Sequence, residues 1–93
     1  IGLQAMIAVK MGRHSRDIVS RFHAHVVSLA PVVAIYHIAG RFDFLVHVAV
    51  RDANHLRDVA LDSFTTREEV EHLETSLIFQ FKAESIWPDY VGL

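Results

Sequence analysis

Cysteine is absent from the chain. That excludes disulfides, a thiolate nucleophile and thiolate metal ligation together, and makes a cytoplasmic protein the simpler reading. No apolar run approaches the ~18 residues that a membrane span needs, and no secretory leader is legible, so no membrane partner is expected. Basic residues are few and dispersed: nine lysines and arginines against eleven acids leave a net charge of −2. Gripping nucleic acid takes clustered cations, so DNA binding by these residues alone is not expected. The chain starts at Ile1 without a methionine and reads as a fragment of a longer protein or as a stand-alone domain.

What the chain has in excess is apolar surface. Its 93 residues make one domain, 1–93, with a core over about 3–82 and a C-terminal tail, 83–93. With tyrosine left out and glycine counted, about 54% of the residues are apolar, against the usual ~45–50%. So small a domain buries only roughly 60% of its unfolded-chain surface, which leaves part of this excess to be covered by a partner subunit.

The pattern is organised around Gly40-Arg41-Phe42-Asp43. Two apolar runs, Val32 to Ala39 and Phe44 to Val50, flank this tetrad and are rich in β-branched and aromatic residues, as strands are. Gly and Asp within a four-residue gap predict a β-hairpin. Before it, Leu3 to Met11 alternates, with Leu3, Ala5, Ile7, Val9 and Met11 on one side. Ser15 then stands as an N-cap for a helix whose stripe is Ile18, Phe22, Val26 and Leu29, and which stops at Pro31. After the hairpin, Asp52 or Asn54 caps a second helix with Leu56, Val59, Ala60 and Phe64 on its buried face, ended or interrupted by Thr65, Thr66 and Arg67-Glu68-Glu69. A fourth strand alternates Leu73, Thr75, Leu77, Phe79 and Phe81 with Glu74, Ser76, Ile78, Gln80 and Lys82. The tail around Ser85 to Tyr90 has no usable period.

The order is βαββαβ. It predicts an α+β, ferredoxin-like fold: a four-stranded antiparallel sheet, strands 1 and 3 central, both helices on one face. The other face then lacks a cover. The third strand carries Phe44, Val46, Val48 and Val50 on one side and Leu45, His47 and Ala49 on the other. At ~25 cal/mol per Å², leaving several such side chains in water forgoes several kcal/mol, comparable with the net stability of a small domain. A second sheet from an identical subunit is the simplest cover, so Leu45, His47 and Ala49 are dimer-interface candidates in an arrangement of the dimeric α+β barrel type.

Three stretches carry a family likeness: Ile38-Ala39-Gly40-Arg41-Phe42-Asp43-Phe44-Leu45-Val46, Val48-Ala49-Val50-Arg51-Asp52 leading to Leu56, and Glu74-Thr75-Ser76-Leu77-Ile78-Phe79. In this order they resemble the C-terminal domain of the leucine-responsive and asparagine-responsive (Lrp/AsnC) family of prokaryotic transcription regulators, also known as the RAM domain. The resemblance implies a homodimer through facing sheets, assembled further into a tetramer of dimers, an octamer. It also implies an amino-acid effector bound near the hairpin, at Gly40, Arg41, Phe42 and Asp43 with Thr75 and Ser76 nearby. The family's N-terminal helix-turn-helix is not in this chain, so DNA would be reached only through such a separate domain. The chain departs from the family where a Leu-Pro-Gly-Val-like turn is replaced by Thr66-Arg67-Glu68-Glu69-Val70.

An amino acid is a zwitterion, so its site needs donors for the carboxylate and an acceptor for the ammonium. Gly40 would let backbone N–H groups approach, and Asp43 would hold the ammonium through a charge-assisted bond. The alternative is that both only shape the turn. Seven histidines raise the question of a metal, but His23 and His25 would point to different sides of a helix, and Glu68 with His72 would share a face only if helix ran that far; no metal, cofactor or catalytic residue is expected. His37 and His47, mid-strand, could make assembly pH-sensitive. Two other classes compete with effector sensing: a small dimeric α+β barrel enzyme, suggested only by Tyr36 and His37, and a pure assembly module without ligand.

Overall fold

The computed structural model describes residues 2–12 and 14–79. Four strands, β1 (Leu3–Met11), β2 (Val32–His37), β3 (Phe44–Val50) and β4 (Val70–Ile78), form one antiparallel sheet in the order β2-β3-β1-β4. Two helices, α1 (Arg16–Val27) and α2 (Ala53–Val59), pack with a π-helical turn (Ala60–Thr65) against one face. The expected ferredoxin-like topology is the one found, with strands 1 and 3 central.

The core follows from alternation. Ala5, Ile7, Val9 and Met11 of β1 and Phe44, Val46, Val48 and Val50 of β3 are buried toward the helices, where Phe22, Val26, Leu56, Val59 and Phe64 meet them. Phe22 is the keystone ring: its centroid lies 5.3 Å from that of Phe44 and 6.2 Å from that of Phe64, both in tilted or edge geometries that aromatic quadrupoles favour.

Local signals set most of the boundaries. Ser15 Oγ accepts from the Ile18 N–H at 3.2 Å, which starts α1. For α2 the cap is Asp52 and not Asn54: its Oδ1 accepts from the His55 N–H at 2.8 Å. Two expectations need correction. β2 ends at His37 and not at Ala39; the Ile38 N–H bonds to the Asp43 carbonyl at 2.9 Å across the foot of the loop, and β3 begins at Phe44 as expected. β4 begins at Val70 and not Leu73, since Val70 pairs with Met11 across a bulge. The second helix ends at Thr65, as expected, its last part widened into the π-turn. The readings for Gln80, Phe81, Lys82 and the tail 83–93 lie outside the described residues.

The π-turn has a packing cause. Five residues past Val59 an α-helix would have rotated about 500°, leaving Phe64 roughly 140° off that side chain's direction. Bonding from i to i+5 lets five residues close about one turn, and Phe64 is fully buried. His25 serves the same turn from α1: its Nε2 lies 2.8 Å from the Ser63 carbonyl. A carbonyl only accepts, so Nε2 carries the proton.

In the turn that leads into β4, an ion pair stands. Arg67 Nε donates to Glu69 Oε2 at 2.6 Å, with the two side chains 31% and 14% exposed. Burial pushes the Glu69 carboxyl up, but its own backbone N–H, the Arg67 guanidinium and the nearby His25 together draw it below its ordinary value.

Two predictions follow from this packing. His25→Ala leaves the Ser63 carbonyl without its donor and is expected to lower stability by about 1–3 kcal/mol, whereas His23→Ala, at an exposed position on the same helix, changes it by no more than about 0.5 kcal/mol; urea unfolding of the two variants measures the contrast. Because the folded-state pKa of Glu69 is depressed, its contribution is present above the ordinary glutamate value of about 4.3 and is lost as pH falls through the lower folded value. The stability gap between wild type and Glu69→Gln is therefore expected to be full at neutral pH and to narrow as pH falls below the ordinary glutamate range, read from denaturation curves at stepped pH.

Candidate functional site

The ends of three strands converge at one corner of the sheet: the β2–β3 loop, the last residues of β1 and the first of β4. Gly40 sits at the loop's tip with φ +139°, a conformation that L side chains rarely adopt. A Cβ built there would meet nothing within 4 Å, so the backbone and not crowding demands the glycine. Beside it, Arg41 Cζ lies 5.7 Å from the Phe42 ring centroid, and Phe42 in turn stacks on His72 of β4 at 6.2 Å. His72 faces Glu74 at 4.0 Å.

Asp43 ties the corner together. Its backbone N–H bonds to the Val9 carbonyl at 2.9 Å, and its Oδ2 accepts from the Met11 N–H at 2.7 Å. The loop is thus stitched to the end of β1 by main chain and side chain. One carboxylate oxygen is therefore engaged inside the protein. The other, Oδ1, faces His14 Nδ1 at 3.6 Å and is the acceptor available to a ligand. Sequence reasoning named Asp43 but missed Met11, His14 and His72, which come from distant segments and carry no local motif.

Thr75 and Ser76 are not brought into this corner as a pair. Thr75 stands across from Ile7 and Ser76 across from Met6, so they point to opposite faces of β4. They lie three and four residues beyond His72, roughly 10–13 Å along the strand. Ser76 shares the open face with Phe42's neighbour His72; Thr75 lies on the helix side.

The open face carries Leu45, His47 and Ala49, as expected. Met6 and Ala8 of β1 and Ala34 and Tyr36 of β2 join them by register, and His47 Nε2 donates to Gln4 Oε1 at 2.7 Å. The face is mixed: His47, Gln4 and Lys10 stand among its apolar residues on β3 and β1, and β4 adds His72, Glu74 and Ser76. Tyr36 and His37, the pair that suggested an enzyme, point to opposite sides, with His37 stacked on Phe44 at 4.6 Å. The helical face imagined for Glu68 and His72 does not exist, since the second helix ends at Thr65. Among the described residues no cluster of three or more His, Asp or Glu side chains could hold a metal ion, and no helix is long and apolar enough to cross a membrane.

Residues 4–87 match the family model described as the Lrp/AsnC ligand binding domain. The chain is 38% identical over 80 residues to the HTH-type transcriptional regulator AldR of Mycolicibacterium smegmatis, covering 86% of this chain and 47% of that protein. In structure it is similar to MtbAldR (TM-score 0.83, 25% identity, 95% of this chain and 60% of that one). It is also similar to a transcriptional regulator of Neisseria meningitidis in complex with L-Met (TM-score 0.82, 25% identity, 98% and 59%). The chain spans about half the length of the curated relatives it matches.

The geometry separates two roles of Asp43. Asp43→Ala leaves the Met11 N–H unpaired and is expected to cost about 1–3 kcal/mol. Asp43→Asn keeps an acceptor for that N–H, and its expected cost is within about 1 kcal/mol; chemical denaturation of both variants tests the difference.

Proposed function

Because the chain belongs to the family of Lrp/AsnC ligand binding domains, we propose that it senses a small amino-acid effector and couples its binding to assembly of a transcriptional regulator. The observation that carries this reading is the family match over residues 4–87, and the L-Met complex of the Neisseria relative supports an amino acid as the effector class. In this proposal the effector's ammonium meets Asp43 Oδ1, its carboxylate meets the backbone N–H groups around Gly40 and the Arg41 guanidinium, and its side chain lies toward Phe42. Ser76, on the open face, is the more favourable of the two hydroxyls for a contact from a neighbouring dimer; Thr75 lies on the other side of β4.

Two copies associate through the open faces, centred on Leu45, His47 and Ala49, and dimers associate further around their hairpin corners into a tetramer of dimers. A ligand bound where dimers meet favours the assembly that completes its site, and so shifts the oligomer population. DNA is bound by a separate helix-turn-helix domain whose spacing the assembly sets, and the work is cytoplasmic and regulatory, not catalytic. A module that assembles without ligand is the second reading, and one observation favours it: Asp43 Oδ2 is already taken by the Met11 N–H.

Effector binding at 100-fold its dissociation constant is expected to stabilise the protein by about 2.7 kcal/mol, which a thermal-shift panel of the twenty amino acids would register. Asp43→Asn should abolish the response while keeping the fold. Wild type should sediment as a dimer or larger, and Leu45→Glu should shift it toward a monomer. No response to any amino acid in a chain that still dimerises would leave the assembly module as the reading; a stable monomer of wild type would sink both.

A further inference from the structure

The two oxygens of the Asp43 carboxylate are differently engaged. Oδ2 accepts from the Met11 N–H at 2.7 Å, whereas Oδ1 faces His14 Nδ1 at 3.6 Å. That separation is beyond hydrogen-bond range, so the contact is electrostatic in kind and becomes attractive when the imidazole is charged. His14 belongs to the short link between β1 and α1, and its side chain is 59% exposed against 21% for Asp43. A side-chain rotation is enough to close the gap. In the protonated ring both nitrogens carry hydrogen, so Nδ1 is then a donor.

The other charged groups around this link are held elsewhere or weakly placed. On α1, Asp17 is paired with Arg21 at 2.9 Å, and Arg16 follows the Ser15 cap. In the β2–β3 loop, Arg41 lies over the Phe42 ring. On the β4 side, Glu69 holds Arg67 at 2.6 Å and His72 faces Glu74 at 4.0 Å. Lys10 of β1 stands across from His72. Glu71 flanks the link, its Cβ 3.5 Å from where a side chain at Gly12 would begin, and adds to the negative potential that draws a cation there; Lys10 and Arg41 carry the opposite sign.

We infer that His14 is a built-in competitor for the effector's ammonium: its imidazolium takes Asp43 Oδ1 as the ammonium would, so that protonation of His14 closes the site and deprotonation opens it. The inference rests on the proposal that an amino acid binds at this corner with its ammonium on Oδ1. Both cations need the same oxygen, and like charges crowded there repel, so the entry of one displaces the other. Imidazole is the side chain that ordinarily changes charge between pH 5 and 8, an interval in which a free amino acid keeps its ammonium. Binding therefore releases a proton from His14 and strengthens as pH rises. A single displaced proton limits the change to about tenfold per pH unit.

Calorimetric titration of the 93-residue chain with each of the twenty amino acids, at about pH 7.5 and about pH 5.5 and in buffers of different ionisation enthalpy, reads affinity and proton release together. For the amino acids that bind at the higher pH, affinity is expected to fall at least about threefold at the lower. His14→Gln, at an exposed position, removes the competitor: it should bind at both values as tightly as wild type does at the higher one, and release no proton. His14→Lys keeps its charge throughout and should bind weakly at both. His72→Gln, which removes the other imidazole of the corner, should retain the wild-type pH dependence. In the effector-free chain the Met11 amide NMR signal, on the other oxygen of the same carboxylate, should titrate together with the His14 ring and should no longer do so in His14→Gln. Equal wild-type affinity at the two pH values, a pH dependence that survives in His14→Gln or disappears in His72→Gln, or a Met11 signal that ignores the His14 titration would overturn the inference and leave the effector reading standing. No binding by any amino acid at either pH would overturn both.

Discussion

Everything in this domain depends on the strict in-and-out alternation of the two central strands. β1 and β3 pair with each other along seven residues and place Ala5, Ile7 and Val9 beside Val48, Val46 and Phe44 in one continuous apolar layer. The helices cover that layer, and their stripes are spaced to do so. Because side chains alternate with period two, the same register obliges Met6, Ala8, Leu45 and Ala49 onto the opposite side. A slip of one residue would exchange the two sets and bring Gln4, Lys10 and His47 under the helices, so the buried layer fixes the composition of the open one.

The hairpin corner, where we propose that the effector binds, inherits its geometry from the same strand. β1 runs two residues past the start of β3, and the N–H groups at and just beyond its end find partners outside that pairing: Met11 in the Asp43 carboxylate, Gly12 in the Glu69 carbonyl. Hairpin loop and β4 lead-in are therefore fastened to one piece of backbone from its two sides. A loop with a glycine in a left-handed conformation would otherwise sample many shapes. Here the carboxylate that anchors the loop through Oδ2 leaves Oδ1 facing His14, so the group that positions the corner keeps one acceptor directed away from it.

Much of this was legible in the residues. The alternation of β1 and β3, the stripe Ile18, Phe22, Val26 and Leu29, and the Ser15 and Asp52 caps are local signals that tertiary packing had no reason to override. The errors were non-local. The hairpin's first arm was read two residues too long because Ile38 and Ala39 continue the apolar run of β2, which ends at His37. The start of β4 was hidden by the bulge at Glu71, since an extra residue breaks the alternation a strand is recognised by. The π-turn was invisible because stripe reading assumes 3.6 residues per turn, and the roles of His25 and Met11 rest on contacts 38 and 32 residues away. For the candidate site, the alternation already implied that Thr75 and Ser76 face opposite ways; what was missing was which side the hairpin approaches.

The Arg67–Glu69 pair bears on why a polar turn stands where an apolar one would serve. Taking two charges partly out of water costs free energy that their attraction only partly returns, so an apolar turn would hold α1 to the sheet at least as well. The pair is better explained by what it makes specific. Glu69 stays ionised in a half-buried setting because Arg67, its own N–H and His25 all favour the carboxylate, and His25 is at the same time bound to the Ser63 carbonyl. One charged residue thereby draws together α1, the π-turn and the β4 lead-in, three segments that greasy contacts alone would let slide past one another. An apolar turn has no such directional demand. The ion pair therefore acts on register more than on net stability, and it keeps charged groups at a surface that packing alone would have closed.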